Sequence, residues 1–185
     1  MKTIHDAPSR PRLIIFGGLP GTGKTSLARE LARELGAVYL RIDSIEQAIL
    51  NSSGTGDDVG ESGYRAAYAV AEDNLRLGRT VVADSVNPLP ITREAWLGVG
   101  QRADAASIEI EVRCSDAEEH RQRVEARAPD IPGHRLPTWQ EVVSHDYHPW
   151  QREHIIIDRS GRDFSESLAE LRRTLESIVP PFRRS

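Results

Sequence analysis

Eight consecutive residues, Gly18-Leu19-Pro20-Gly21-Thr22-Gly23-Lys24-Thr25, constrain this chain more than any other stretch, because they complete the pattern G-x-x-x-x-G-K-[ST] between a strand-like and a helix-like segment. Ahead of them, Leu13-Ile14-Ile15-Phe16 is a short apolar run closed by Gly17-Gly18, the pattern of a buried strand. After them, Leu27, Ala28, Leu31, Ala32 and Leu35 recur at helical spacing, and Gly36 supplies the stop expected of a helix C-cap. Glycines in such a turn let backbone N–H groups converge on an anion at the positive end of the helix. Gly18, Pro20, Gly21, Thr22 and Gly23 then frame a phosphate site, Lys24 reaches the β and γ phosphates, Thr25 offers its hydroxyl to Mg2+, and Ser26 adds a contact to the α-phosphate. The alternative, a glycine-rich turn that binds nothing, is disfavoured by the full match in its strand-to-helix setting.

The remaining pattern alternates strands with helices. Ala37 to Ile42 is expected as a second strand, Ser44 to Leu50 as a short helix capped by Asp43 or Ser44, and Asn51 to Gly60 as a mobile loop. Tyr64, Ala67, Tyr68, Ala71 and Leu75 line a helical face ended by Gly78, before a buried strand Thr80 to Ala83 with Asp84 at its end. Pro88 and Pro90 predict an extended connection to a helix from about Thr92, and Ser107 to Arg113 alternates as a fourth strand. A charged helix is expected over Asp116 to Arg127, an irregular stretch over Ala128 to Pro137, and a Thr138-capped helix through about Tyr147. Ile155-Ile156-Ile157 is the fifth strand and Ser165 to Ile178 the closing helix. This order predicts a three-layer α/β domain, a parallel sheet with helices on both faces, spanning 12–179 between tails at 1–11 and 180–185.

Composition narrows the partners. With 185 residues, 38% hydrophobic and 28% charged, the chain suits one globular domain, and no apolar run approaches the roughly 18 residues a membrane span needs. Met1 to Arg12 is polar, which predicts a cytoplasmic location, and the lone Cys114 fits a reducing compartment. A formal net charge of −4 disfavours, without excluding, nucleic acid as a partner. His145, His148 and His154 lack the company a metal site needs, and Trp96, Trp139 and Trp150 are expected to pack rather than to stack on bases.

Asp43 and Asp84 are each expected at the C-terminal end of a strand, the edge where open parallel sheets bind ligands. One such carboxylate can hold magnesium while the other accepts a proton from an attacking hydroxyl. Asp43 as a helix cap and Asp84 as a turn residue are the competing readings. Arg121, Arg123 and Arg127 crowd the charged helix; they either cover a transferring phosphoryl group or form a solvated face with Asp116, Glu118, Glu119 and Glu125.

With these residues in hand, the chain resembles the small phosphate-loop kinases of the branch that holds polynucleotide 5′-hydroxyl kinases, chloramphenicol phosphotransferase, gluconate kinase and zeta toxins. The resemblance runs over nearly all of Leu13 to Ile178. It rests on the loop from Gly18 to Thr25, on Tyr39 to Asp43, on Val81 to Asn87 and on the arginine-bearing helix Glu118 to Arg127. It implies a P-loop NTPase fold, five parallel strands in order 2-3-1-4-5, and an arginine lid at about 116–137 over ATP. It also implies Asp43 as general base, Asp84 and Asn87 as acceptor-side or magnesium-shell residues, Arg123 and Arg127 as lid residues, and Gly161 near the adenine. The acceptor pocket would be walled by Asn87, the helix of Tyr64 and Tyr68, and the loop 51–60. Polynucleotide kinases of this branch carry an arginine three residues after the base; Glu46 stands there, which suits a neutral or cationic acceptor better than a phosphate. The expected activity is transfer of the γ-phosphoryl group of Mg-ATP to a small-molecule hydroxyl, by a monomer or homodimer. Phosphorylation of a nucleic-acid 5′ hydroxyl and an ATPase switch are the alternatives.

Overall fold

The structure, a computed structural model, describes residues 10–53 and 60–178. The tails 1–9 and 179–185, and 54–59 of the loop expected to be mobile, lie outside the described residues. Five parallel strands form one sheet in the order β2-β3-β1-β4-β5, with β1 at Arg12–Gly17, β2 at Val38–Arg41, β3 at Val81–Asp84, β4 at Ala106–Arg113 and β5 at Ile155–Asp158. Each crossover carries at least one helix: α1 Lys24–Leu35, α2 Ile42–Ser53, α3 Ser62–Arg76, α4 Pro90–Arg102, α5 Ala117–Glu125 and α6 Trp139–Val143, with α7 Phe164–Ile178 closing the chain.

The alternation of β1 sorts its side chains onto two cores. Ile14 and Phe16 pack with Leu27, Leu31, Leu168 and Leu171 against α1 and α7, while Leu13 and Ile15 pack with Ala67, Ala71, Trp96 and Val99 against α3 and α4. Covering both faces explains why Leu13 to Phe16 of β1 and Val81 to Ala83 of β3 are continuous apolar runs. It also explains β4, whose polar alternates Glu109 and Glu111 are buried rather than solvated. Tyr147 donates to Glu111 at 2.8 Å, Arg113 donates to the same carboxylate at 2.6 Å, and Arg152 pairs with Glu109 at 2.6 Å, which compensates the burial of charge.

Several element ends differ from the sequence expectation. The second strand stops at Arg41, and α2 runs from Ile42 to Ser53, so Asp43 sits in a first helical turn, where a carboxylate complements the helix dipole. Pro90 opens α4 instead of holding it off, because the first helical position needs no N–H and Leu89 supplies the extended residue before it. Helix α6 closes at Val143, far short of Tyr147, after a capping box between Thr138 and Glu141. Arg10 and Pro11, assigned to the tail, are held at the sheet: Arg10 pairs with Asp104 at 2.7 Å and the Pro11 carbonyl accepts from Ala106 at 2.9 Å. No helix among the described residues is long and apolar enough to cross a membrane.

Candidate active site at the carboxyl edge of the sheet

Register places the ends of three strands side by side. Phe16 of β1 is level with Asp84 of β3, and Asp84 with Arg41 of β2, so the chain emerging from each strand meets at one edge. There the glycine loop turns from β1 into α1. Gly18, Gly21 and Gly23 all have positive φ, at 134°, 86° and 87°. A Cβ on Gly18 would strike the Val112 carbonyl, and one on Gly23 the guanidinium of Arg159. Backbone alone fits here, which is the steric form of an anion cradle.

Lys24 begins α1 and is almost fully buried, its ammonium paired with the Asp84 carboxylate. Tyr39 of β2 donates to the other oxygen of Asp84 at 2.7 Å. Burial opposes the charge of Asp84, but Lys24, with hydrogen bonds from Tyr39 and Thr25, holds its carboxyl below the usual carboxylate range. Burial, with Asp84 beside it, drives the Tyr39 phenol well above its ordinary value, so it remains a donor.

A cavity of about 770 Å³ opens in front of this pair. Pro20, Gly21, Gly23, Lys24, Thr25 and Ser26 line one wall, Asp43 and Arg41 a second, and Arg123, Arg127 and the 128–137 segment a third. Eight cationic side chains face it against three carboxylates, in a chain of net charge −4. Such a concentration of charge focuses attraction for anions. Asp43 is partly exposed and lies 3.6 Å from Arg41. Arg123 donates to Glu119 at 2.5 Å and to the Arg159 carbonyl at 2.9 Å, while its buried Nη1 has no protein partner. Arg121 points elsewhere and pairs with Glu125 at 2.9 Å.

Other expected site residues stand outside that lining. Thr22 turns inward to donate to the Leu19 carbonyl at 2.9 Å. Asn87, buried with φ 49°, donates from Nδ2 to the Phe16 carbonyl at 3.0 Å, and its backbone N–H donates to the Tyr64 hydroxyl at 3.4 Å. Asn87 and Tyr64 therefore brace the turn after Asp84 from behind. Gly161 donates to Glu119 at 2.8 Å, between the lining residues Arg159 and Arg162. Glu46 lies against Gly63 on α3 and does not line the cavity.

Sequence reasoning passed over Arg29, Arg41, Asp130, Tyr39 and His120. His120 bonds the Pro20 carbonyl at 2.8 Å and meets Trp139 edge-on, tying α5 and α6 to the glycine loop. Arg93 lies 4.3 Å over the Trp150 ring, whose far edge backs Gly17, so Trp150 packs. Among the described residues no three His, Cys, Asp or Glu side chains gather as a metal cluster.

A family model described as AAA domain matches residues 13–144, from β1 through the whole of α6. The chain belongs to that family. APS kinase of Mycobacterium tuberculosis, solved with AMPPNP and APS, superposes on this AAA domain chain with a TM-score of 0.65 at 21% identity, covering 91% of this chain and 99% of that one. A gluconokinase from Sinorhizobium meliloti gives 0.61 at 17%, covering 91% and 96%, and a sugar kinase from Janibacter sp. gives 0.65 at 17%, covering 95% and 99%. These likenesses show the shared P-loop fold. Among curated proteins, Lon protease 1 of Sorangium cellulosum is 33% identical over 107 residues, which are 57% of this chain. The chain matches only 12% of that protease's length.

Proposed function

We propose that the protein is an ATP-dependent phosphotransferase that moves the γ-phosphoryl group of Mg-ATP to a hydroxyl of a small-molecule acceptor. The observation that carries this reading is one cavity lined by the glycine loop with Lys24, by the carboxylate of Asp43, and by Arg123 and Arg127. The solved kinases that share the fold support it.

In this reading the loop N–H groups and Lys24 hold the phosphates, and Gly161 lies toward the adenine. The acceptor oxygen attacks the γ-phosphorus, the bond from that phosphorus to the β–γ bridging oxygen breaks, and ADP leaves. The acceptor proton passes to Asp43. Arg123 and Arg127 neutralise charge on the transferring group and exclude water, whose attack is the competing reaction. Thr25, at the cavity wall with Asp84 hydrogen-bonded behind it, would hold a magnesium ion, and the ion would offset phosphate charge. Asn87 and Tyr64 act on the acceptor through the turn they brace.

Transfer of labelled γ-phosphate checks the roles. Lys24→Ala loses transfer by orders of magnitude. Asp43→Asn keeps AMPPNP binding and loses at least about a hundredfold in turnover. Near-normal turnover in Asp43→Asn contradicts the base assignment.

A further inference from the structure

Among the described residues Arg41 is one of two buried arginines, with Arg93; its side chain is only 5% exposed, at the end of a strand level with Asp84. A buried guanidinium is expensive unless an anion meets it. Here the anion is Asp130, which comes from the segment between α5 and α6. Arg41 donates to both of its oxygens, at 2.7 and 3.0 Å, and Arg29 of α1 donates to one of them at 2.9 Å. The Arg41 Nε remains without a partner. Two planar donors converging on one carboxylate make the geometry that recognises oxyanions in ligands.

The position of this fork gives it a use. Arg29, Arg41 and Asp130 all line the cavity that holds the glycine loop, and Arg41 lies 3.6 Å from Asp43. The occupant sits on a segment with Pro129, Pro132 and Gly133, outside any helix or strand, and the Asp130 side chain is 43% exposed. Glu46, whose charge argued for a neutral or cationic acceptor, is turned toward α3.

We propose that Arg29 and Arg41 are the acceptor's anion subsite, with Asp130 a built-in occupant that the acceptor's own oxyanion displaces. The acceptor class is then a hydroxyl compound that also carries a carboxylate, sulfate or phosphate group. This rests on the phosphotransferase reading, and it deepens that reading by naming what the acceptor must carry. The two arginines orient the acceptor, and displacement of Asp130 couples its arrival to movement of the 126–138 segment.

The test uses the full chain saturated with Mg-AMPPNP, so that the glycine loop is filled, and titrates sulfate or acetate at constant ionic strength while calorimetry reports binding. Asp130→Asn frees the fork, so sulfate or acetate affinity rises at least about tenfold over wild type. Arg29→Ala in the Asp130→Asn background removes most of that gain, and because Arg29 lies half in solvent this variant tests the fork without disturbing the core. Tighter sulfate than acetate assigns a phosphate or sulfate ester to the acceptor; the reverse assigns a carboxylate. AMPPNP binding with anion affinity unchanged in Asp130→Asn overturns the subsite and leaves Asp130 a structural latch. Failure of the wild type to bind AMPPNP overturns the phosphotransferase reading, and the acceptor subsite with it.

Discussion

Lys24 and Asp84, sixty positions apart, form a buried ion pair in which the lysine side chain is 8% exposed and the carboxylate fully enclosed. The pair joins the glycine loop to the end of β3, and Tyr39 extends it to β2. Three strand ends are thereby fixed around the group that would touch the phosphates.

That arrangement makes Asp84→Asn costly. Removing one partner strands the other charge away from water, so unfolding free energy falls by about 3 kcal/mol. Lys24→Met combined with Asp84→Asn should cost well under the sum of the two single changes. Urea denaturation of the four proteins reads the coupling, and simple additivity contradicts the pairing.

Gly23 and Gly36 both have positive φ, at 87° and 58°, but only one is crowded. A Cβ on Gly36 meets nothing within 4 Å, whereas one on Gly23 runs into Arg159. Gly36→Ala is expected to cost about 1 kcal/mol in stability and to spare nucleotide affinity. Gly23→Ala adds displacement of the cavity wall and lowers AMPPNP affinity at least about tenfold. Equal effects of the two on affinity contradict a cradle that only glycine fits.

Asp158, at the end of β5, gives a pH signature. Burial raises its carboxyl, but hydrogen bonds from Ser115 and Ser160 outweigh this and hold it at about 2. A folded pKa below the unfolded one contributes stability that is complete above about pH 4 and lost as pH falls toward 2. After solvent screening the effect is about 1 kcal/mol. The stability gap between wild type and Asp158→Asn should narrow by that amount between pH 5 and pH 2; a constant gap contradicts it.

The strands and the loop were legible in the sequence because both depend on local signals, whereas the order of the strands in the sheet followed only from the family resemblance. Apolar runs closed by glycine mark strands, and a full loop pattern in a strand-to-helix setting marks the phosphate cradle. Asp43 was expected at a strand end or as a helix cap and lies instead inside the first turn of α2, since a helix starting directly from a strand leaves no turn to read. The alternation of β4 said nothing of the burial of Glu109 and Glu111, because their partners, Arg152 and Tyr147, come from a segment with no periodicity of its own. Arg41 and Asp130 stayed hidden for the same reason: 89 positions apart, they meet only once the 126–138 segment folds over the strand ends. Asn87 and Tyr64 were picked by resemblance, and the structure places both behind the cavity wall.

The most direct test of the central claim is transfer of labelled γ-phosphate from Mg-ATP to a panel of hydroxyl compounds. The panel holds sugars and nucleosides, their phosphorylated, sulfated and carboxylated counterparts, and a 5′-hydroxyl oligonucleotide, with Lys24→Ala as the blank. The account predicts label on a small molecule, with an anionic member preferred over its neutral counterpart, and none with the blank. Release of free phosphate at the same rate with every acceptor, dependent on Lys24, would contradict it and identify a nucleotide hydrolase.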